Sequence, residues 1–192
     1  MIKERIAQSL QEHQSVLEDT LTRHAEDVAR LAACLVEVFH QGGRLILLGS
    51  GQFAAVADLV ASLFNFRLSL ERPQLPVLSL SHDALLALAL ARAERTEQYF
   101  ARQLRVLGGG GDVVLALCGA PPDPAVAEAL ALARQNGSRV ALLFHGREED
   151  FVGERPDFLV RVESDSPGCA LETFLFCGRT VCYLVEADLF GL

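Results

Sequence analysis

The sequence lacks the basic surplus of a nucleic-acid-binding chain: 17 lysines and arginines stand against 25 aspartates and glutamates, giving a net charge of −8. That balance favours solubility and argues against a broad polyanion-binding face, so no direct nucleic-acid partner is expected. It also lacks an uninterrupted apolar run of the roughly 18 residues needed to cross a bilayer. Met1-Ile2-Lys3-Glu4-Arg5 leads into no signal-peptide core, so neither export nor a membrane partner is expected. Paired metal-ligand spacing is missing as well. Cys34, Cys118, Cys169, Cys177 and Cys182 are odd in number, and His13, His24, His40, His82 and His145 form no His-x-x-x-His pair. Reduced thiols in a cytoplasmic protein fit this pattern, and no metal or other cofactor is expected from it. Repeats, low-complexity tracts and an interdomain linker are absent too. Glycine and proline do not occur before Gly42.

What is present is apolar: 51% of 192 residues. With no membrane segment, this surplus must enter a core or subunit contacts, and an obligate homo-oligomer is expected. Ile6, Leu10, His13, Leu17, Leu21, His24, Val28, Leu31, Leu35 and Val38 recur at steps of three and four. They predict one or two long helices over residues 1–40, with an apolar stripe suited to a partner helix. The two histidines on that stripe read as core or interface residues.

After Gly42 the pattern alternates. Leu45 to Leu48 predict a strand buried on both faces, followed by the turn Gly49-Ser50-Gly51-Gln52 and a buried helix over 53–64. Further strands are predicted at 77–80, 112–117, 139–144 and 158–162. Helices are predicted after Asp83, over 94–107, from Asp123-Pro124 to about Gln135, and over about 170–189. This is one α/β domain: a three-layer α/β/α sandwich with a five-stranded parallel sheet over 41–192 and a helical arm over 1–40. Ligands in such sheets sit beyond the carboxyl ends of the strands. That directs attention to Ser50, Gly51 and Gln52 on the first loop, and to Cys118, Gly119 and Asp123 on the second.

The helical arm, Gly42-Gly43-Arg44-Leu45-Ile46-Leu47-Leu48-Gly49-Ser50-Gly51, Glu71-Arg72-Pro73 and Gly111-Asp112-Val113-Val114-Leu115-Ala116 together resemble a SIS (sugar isomerase) domain of the phosphoheptose isomerase type. Within that group the chain is most similar to the DnaA initiator-associating proteins. The resemblance covers nearly the full chain. It implies a homotetramer with N-terminal helices in the contacts and phosphosugar sites near subunit borders. The family's second loop is a hydroxyl-rich phosphate cradle. Its counterpart Cys118-Gly119-Ala120-Pro121-Pro122-Asp123 has no hydroxyl, and two of its residues have no N–H. Asp123 reads as a helix cap that would also repel a phosphate. In the first loop, Phe53 replaces a small polar residue that would face the ligand. Family isomerases hold a metal and move protons with a His and a Glu on the second helix and a Gln and a His on the last. The matching positions here are Leu59, Leu63, Leu171 and Arg179.

No catalytic residue is therefore assigned. Glu172 matches a family Glu and is a weak candidate, better read as a salt-bridge or cap residue. Asp83 reads as a cap rather than as half of a dyad with His82. His145 is a loop histidine at the ligand edge, and Cys118 lacks a base at partner spacing. Leu189 and Phe190 match a Leu-Phe pair that contacts the initiator in the resembling group; here they are either a partner contact or an anchor for the last helix. The reading these losses favour is a non-catalytic oligomeric interaction module whose partner is of the replication-initiator type; the alternative is a phosphoheptose (sedoheptulose 7-phosphate) isomerase or sugar-phosphate sensor with altered site residues.

Overall fold

Leu45–Gly49 forms β1, and every residue in it is buried. The computed structural model describes residues 1–151 and 153–191. Around β1 stand β2 (Val77–Ser79), β3 (Val113–Gly119), β4 (Arg139–His145) and β5 (Phe158–Val162), all parallel, in the order β2-β1-β3-β4-β5. The period-two geometry of a strand divides the core into two. Leu45, Leu47, Val113, Leu115 and Leu117 face α1 (Ile2–His40), α2 (Phe53–Asn65) and α6 (Pro167–Phe190). Ile46, Leu48, Val114, Ala116 and Cys118 face α4 (Tyr99–Leu107) and α5 (Pro124–Gln135). The chain reverses direction across the sheet between β1 and β3, which opens a crevice at their carboxyl ends.

Helix α1 is a single helix of 39 residues. Its second half is buried through Val28, Leu31, Leu35 and Val38, but Ile2, Ile6 and Leu10 at the other end are exposed. The apolar stripe thus runs past the body of its own chain. Two boundaries differ from the sequence expectation. Glu94 has a left-handed φ of 55° after α3 (Ala84–Arg92), and a 3-10 turn at Thr96–Gln98 precedes α4, so no helix spans 94–107. Helix α6 starts at Pro167 rather than near 170. Ser166 caps it by accepting a bond from the Cys169 N–H at 3.4 Å, and proline occupies the first turn. By length and composition α6 is also apolar enough to cross a membrane, which the count of uninterrupted apolar residues did not reveal. Half of that stretch is buried inside this fold.

Two tight features lock α6 in place. A Cβ on Gly178 would stand 2.4 Å from a Val60 methyl, so α2 and α6 touch at a residue that needs to be glycine. Glu186, fully buried, accepts bonds from the Leu68 N–H (2.8 Å), the Ser69 N–H (3.0 Å) and Arg72 Nε (2.8 Å). Arg72 also donates to the carbonyls of Leu63, Phe64 and Pro73. This explains the Glu71-Arg72-Pro73 stretch: the arginine is a structural clamp between the α2–β2 loop and α6.

Candidate functional site

At the carboxyl edge of β1 and β3 lies a cavity of about 640 Å³. Gly49, Ser50 and Gly51 form one wall, Ser81 and His82 a second, Thr96, Tyr99 and Phe100 a third, and Asp123 with Pro124 a fourth. The wall segments are held by bonds that backbone N–H groups donate. Ser50 N–H donates to the Leu117 carbonyl at 3.0 Å, Gly49 N–H to Ser81 Oγ at 3.1 Å, and Asp83 N–H to the Tyr99 hydroxyl at 2.9 Å. Gly51 takes a left-handed φ of 55°, which a residue with a side chain adopts only with strain and which sharpens the turn into α2.

The rim carries a titratable cluster that sequence reasoning missed. Asp58, on α2, contacts His82 Nδ1 through one carboxylate oxygen and accepts a bond from the Ser79 hydroxyl through the other. Three elements converge here: α2, the end of β2, and the loop that follows it. The available signal was that Asp58 is the lone charged residue between Phe53 and Asn65. An acid in an otherwise apolar helix needs a partner. The pairing that the sequence presents is the adjacent one, His82 with Asp83. In the structure Asp83 instead caps α3, accepting from the Leu86 N–H at 2.9 Å.

Several expected site residues lie elsewhere. Ser50, Gly51 and Asp123 line the cavity, whereas Gln52, Cys118 and Gly119 do not. Gln52 is exposed at the start of α2 and makes no side-chain cap. Cys118 is buried and borders a different cavity, under α5, and burial together with the Asp123 charge pushes its thiol up to about 12. That removes it as a nucleophile at neutral pH. Phe53 turns away from the ligand edge into the core, its ring 4.8 Å from that of Phe174. On the second loop, Asp123 Oδ1 accepts the Ala125 N–H at 2.8 Å as cap of α5, and Ala120 N–H is spent on the His145 carbonyl at 2.8 Å. Little donor capacity is left on that side for an anion. His145 Nε2 sits 2.8 Å from the Ser164 carbonyl, a loop-fixing role. Leu189 packs against the core, and Phe190, 38% exposed, lies beneath the Arg72 guanidinium.

The metal that the resemblance implies does not fit its aligned positions. Leu59, Leu63 and Leu171 offer no donor atom, and Arg179 carries a fixed positive charge. Glu172 lies outside this cavity, 2.7 Å from His13 Nδ1 in a groove between α1 and α6.

A family model described as SIS domain matches residues 9–143. The chain is 31% identical to a phosphoheptose isomerase of Trichlorobacter lovleyi over 97% of its own length and 95% of the relative's. It is 36% identical to one of Pelobacter propionicus over 85% and 86%. Among solved structures, a phosphoheptose isomerase from Francisella tularensis superposes with a TM-score of 0.86, covering 97% of this chain and 98% of that one at 20% identity.

Proposed function

The chain belongs to the SIS domain family, and from that premise we propose that it binds a phosphorylated sugar in the carboxyl-edge cavity and interconverts its aldose and ketose forms. The relatives' names make a heptose phosphate, sedoheptulose 7-phosphate, the first substrate to test. They favour this reading over an interaction module that bridges copies of a replication initiator.

The observation that carries the proposal is the His82–Asp58–Ser79 cluster at the cavity rim. Aldose–ketose exchange needs a group that takes a proton from the carbon beside the carbonyl and returns it to the neighbouring carbon. Asp58 facing Nδ1 favours the tautomer in which that nitrogen carries the proton, which leaves Nε2 to act as base. Ser79 holds the second carboxylate oxygen, so Asp58 orients the ring from a fixed position. The hydroxyl of Ser50 and the backbone of Gly51 are the donors offered to the phosphate, because the second loop has few left. No step runs through a metal. The protein works in the cytoplasm, as an oligomer joined through α1.

The test is an isomerase assay with sedoheptulose 7-phosphate. Turnover is expected, with kcat lowered about 10²- to 10⁴-fold in His82→Ala, the range for loss of a general acid–base group. An inactive wild-type protein, or a His82→Ala variant with full activity, refutes the assignment. Binding without turnover would point instead to a sugar-phosphate sensor; ligand at 100 times its dissociation constant would then add about 2.7 kcal/mol of stability.

A further inference from the structure

We propose that His13, Cys169 and Glu172 form a zinc site in the groove between the N-terminal half of α1 and the first turns of α6. It is independent of the isomerase reading. One nitrogen of His13, Sγ of Cys169 and a carboxylate oxygen of Glu172 all lie within 4.8 Å of one another. In a tetrahedral zinc site, bond lengths of about 2.0–2.3 Å place ligand atoms roughly 3.4–3.6 Å apart. His13 Nδ1 and Glu172 Oε2 are 2.7 Å apart and Cys169 Sγ lies within 4.8 Å of the set, so modest side-chain movement brings all three to bonding distance.

The state of His13 Nδ1 is the second observation. It is a buried atom close to a carboxylate oxygen, yet not aligned for a hydrogen bond with it, and it has no other partner among the described residues. An imidazole nitrogen and a carboxylate converging in this way can share a cation between them. The donors decide which cation. An imidazole nitrogen, a thiolate and one carboxylate match zinc and its close relatives, whereas magnesium and calcium take oxygen ligands.

Position supports the assignment too. Cys169 is 7% exposed and sits in the first turn of α6. Its neighbour Glu172 lies one helical turn further on, on the same face. Three protein ligands leave the fourth position to water, in the pattern of an open zinc site. The thiolate and the carboxylate together carry a charge of −2, which balances a divalent ion. Binding also releases the thiol proton, so affinity rises with pH.

The experiment uses the full chain and the metal alone. Zinc is titrated in by equilibrium dialysis with metal counting, and cobalt(II) is substituted to read the thiolate-to-metal absorption band. One zinc per chain is expected, with the cobalt band lost in Cys169→Ser and kept in Cys34→Ser. Glu172→Ala, at an exposed position, leaves the fold intact and weakens zinc binding by more than about tenfold, since loss of an outer-shell partner alone costs 10- to 100-fold. No stoichiometric zinc in the wild-type protein, a cobalt band that survives Cys169→Ser, or unchanged affinity in Glu172→Ala would each overturn the site.

Discussion

Arg72 and Glu186 show how one ion pair makes a stretch of sequence intelligible. Burial alone would raise the Glu186 carboxyl, but the Leu68 and Ser69 N–H groups and the Arg72 guanidinium outweigh it and hold the group below its ordinary 4.5. A carboxyl with a folded value below its unfolded one stabilises the protein above the unfolded value and loses that contribution as the pH falls through the folded one. Glu186→Gln is expected to cost about 3–5 kcal/mol in urea unfolding at neutral pH, because it strands a buried guanidinium. The same variant should flatten the loss of stability below pH 4.5; a loss near zero would show the pair to be neutral. The clamp was invisible in sequence because its partners lie 114 residues apart. The Asp58–His82 contact was hidden for a related reason: adjacency drew attention to Asp83, which spends its carboxylate on a helix cap.

The elements were far more legible than the contacts between them. Strand and helix periods differ, so Leu45 to Leu48 and the stripe from Ile6 to Val38 state their conformations directly. The misread helix over 94–107 failed at Glu94, where one left-handed residue breaks a pattern that composition alone would continue. Capping residues are local and were read correctly at Asp83 and Asp123. Ser166 moved the start of α6 earlier than its apolar content suggested. The Gly178 contact with Val60 belongs at this scale too. Gly178→Ala should destabilise the protein by about 1–3 kcal/mol through overpacking between α2 and α6. Combining it with Val60→Ala should recover part of that loss, since the clash is with the valine methyls. A double variant no more stable than Gly178→Ala would place the strain elsewhere.

At the scale of the whole molecule, a parallel five-stranded sheet with its ligand edge at the carboxyl ends followed from alternating elements and short, apolar strands, whereas the order of the strands is set by contacts between distant segments. The proposed assembly rests on a different feature, the exposed run of Ile2, Ile6 and Leu10 on α1. If α1 joins protomers, Ile6→Glu should reduce the mass seen by light scattering toward that of a single 20.8 kDa chain. A wild-type protein already monomeric at micromolar concentration would overturn this. The two margins of the sheet carry a separate consequence. The β2 margin offers only three residues, Val77 to Ser79, entered directly from Pro76, and the β5 margin shows the half-buried Arg161 among its outward side chains. An incoming extended chain finds too short a template on one side and, on the other, a strand whose arginine is ion-paired with Glu148 and Glu163. Despite its apolar composition, the folded protein is thereby guarded against growing into fibrils strand by strand.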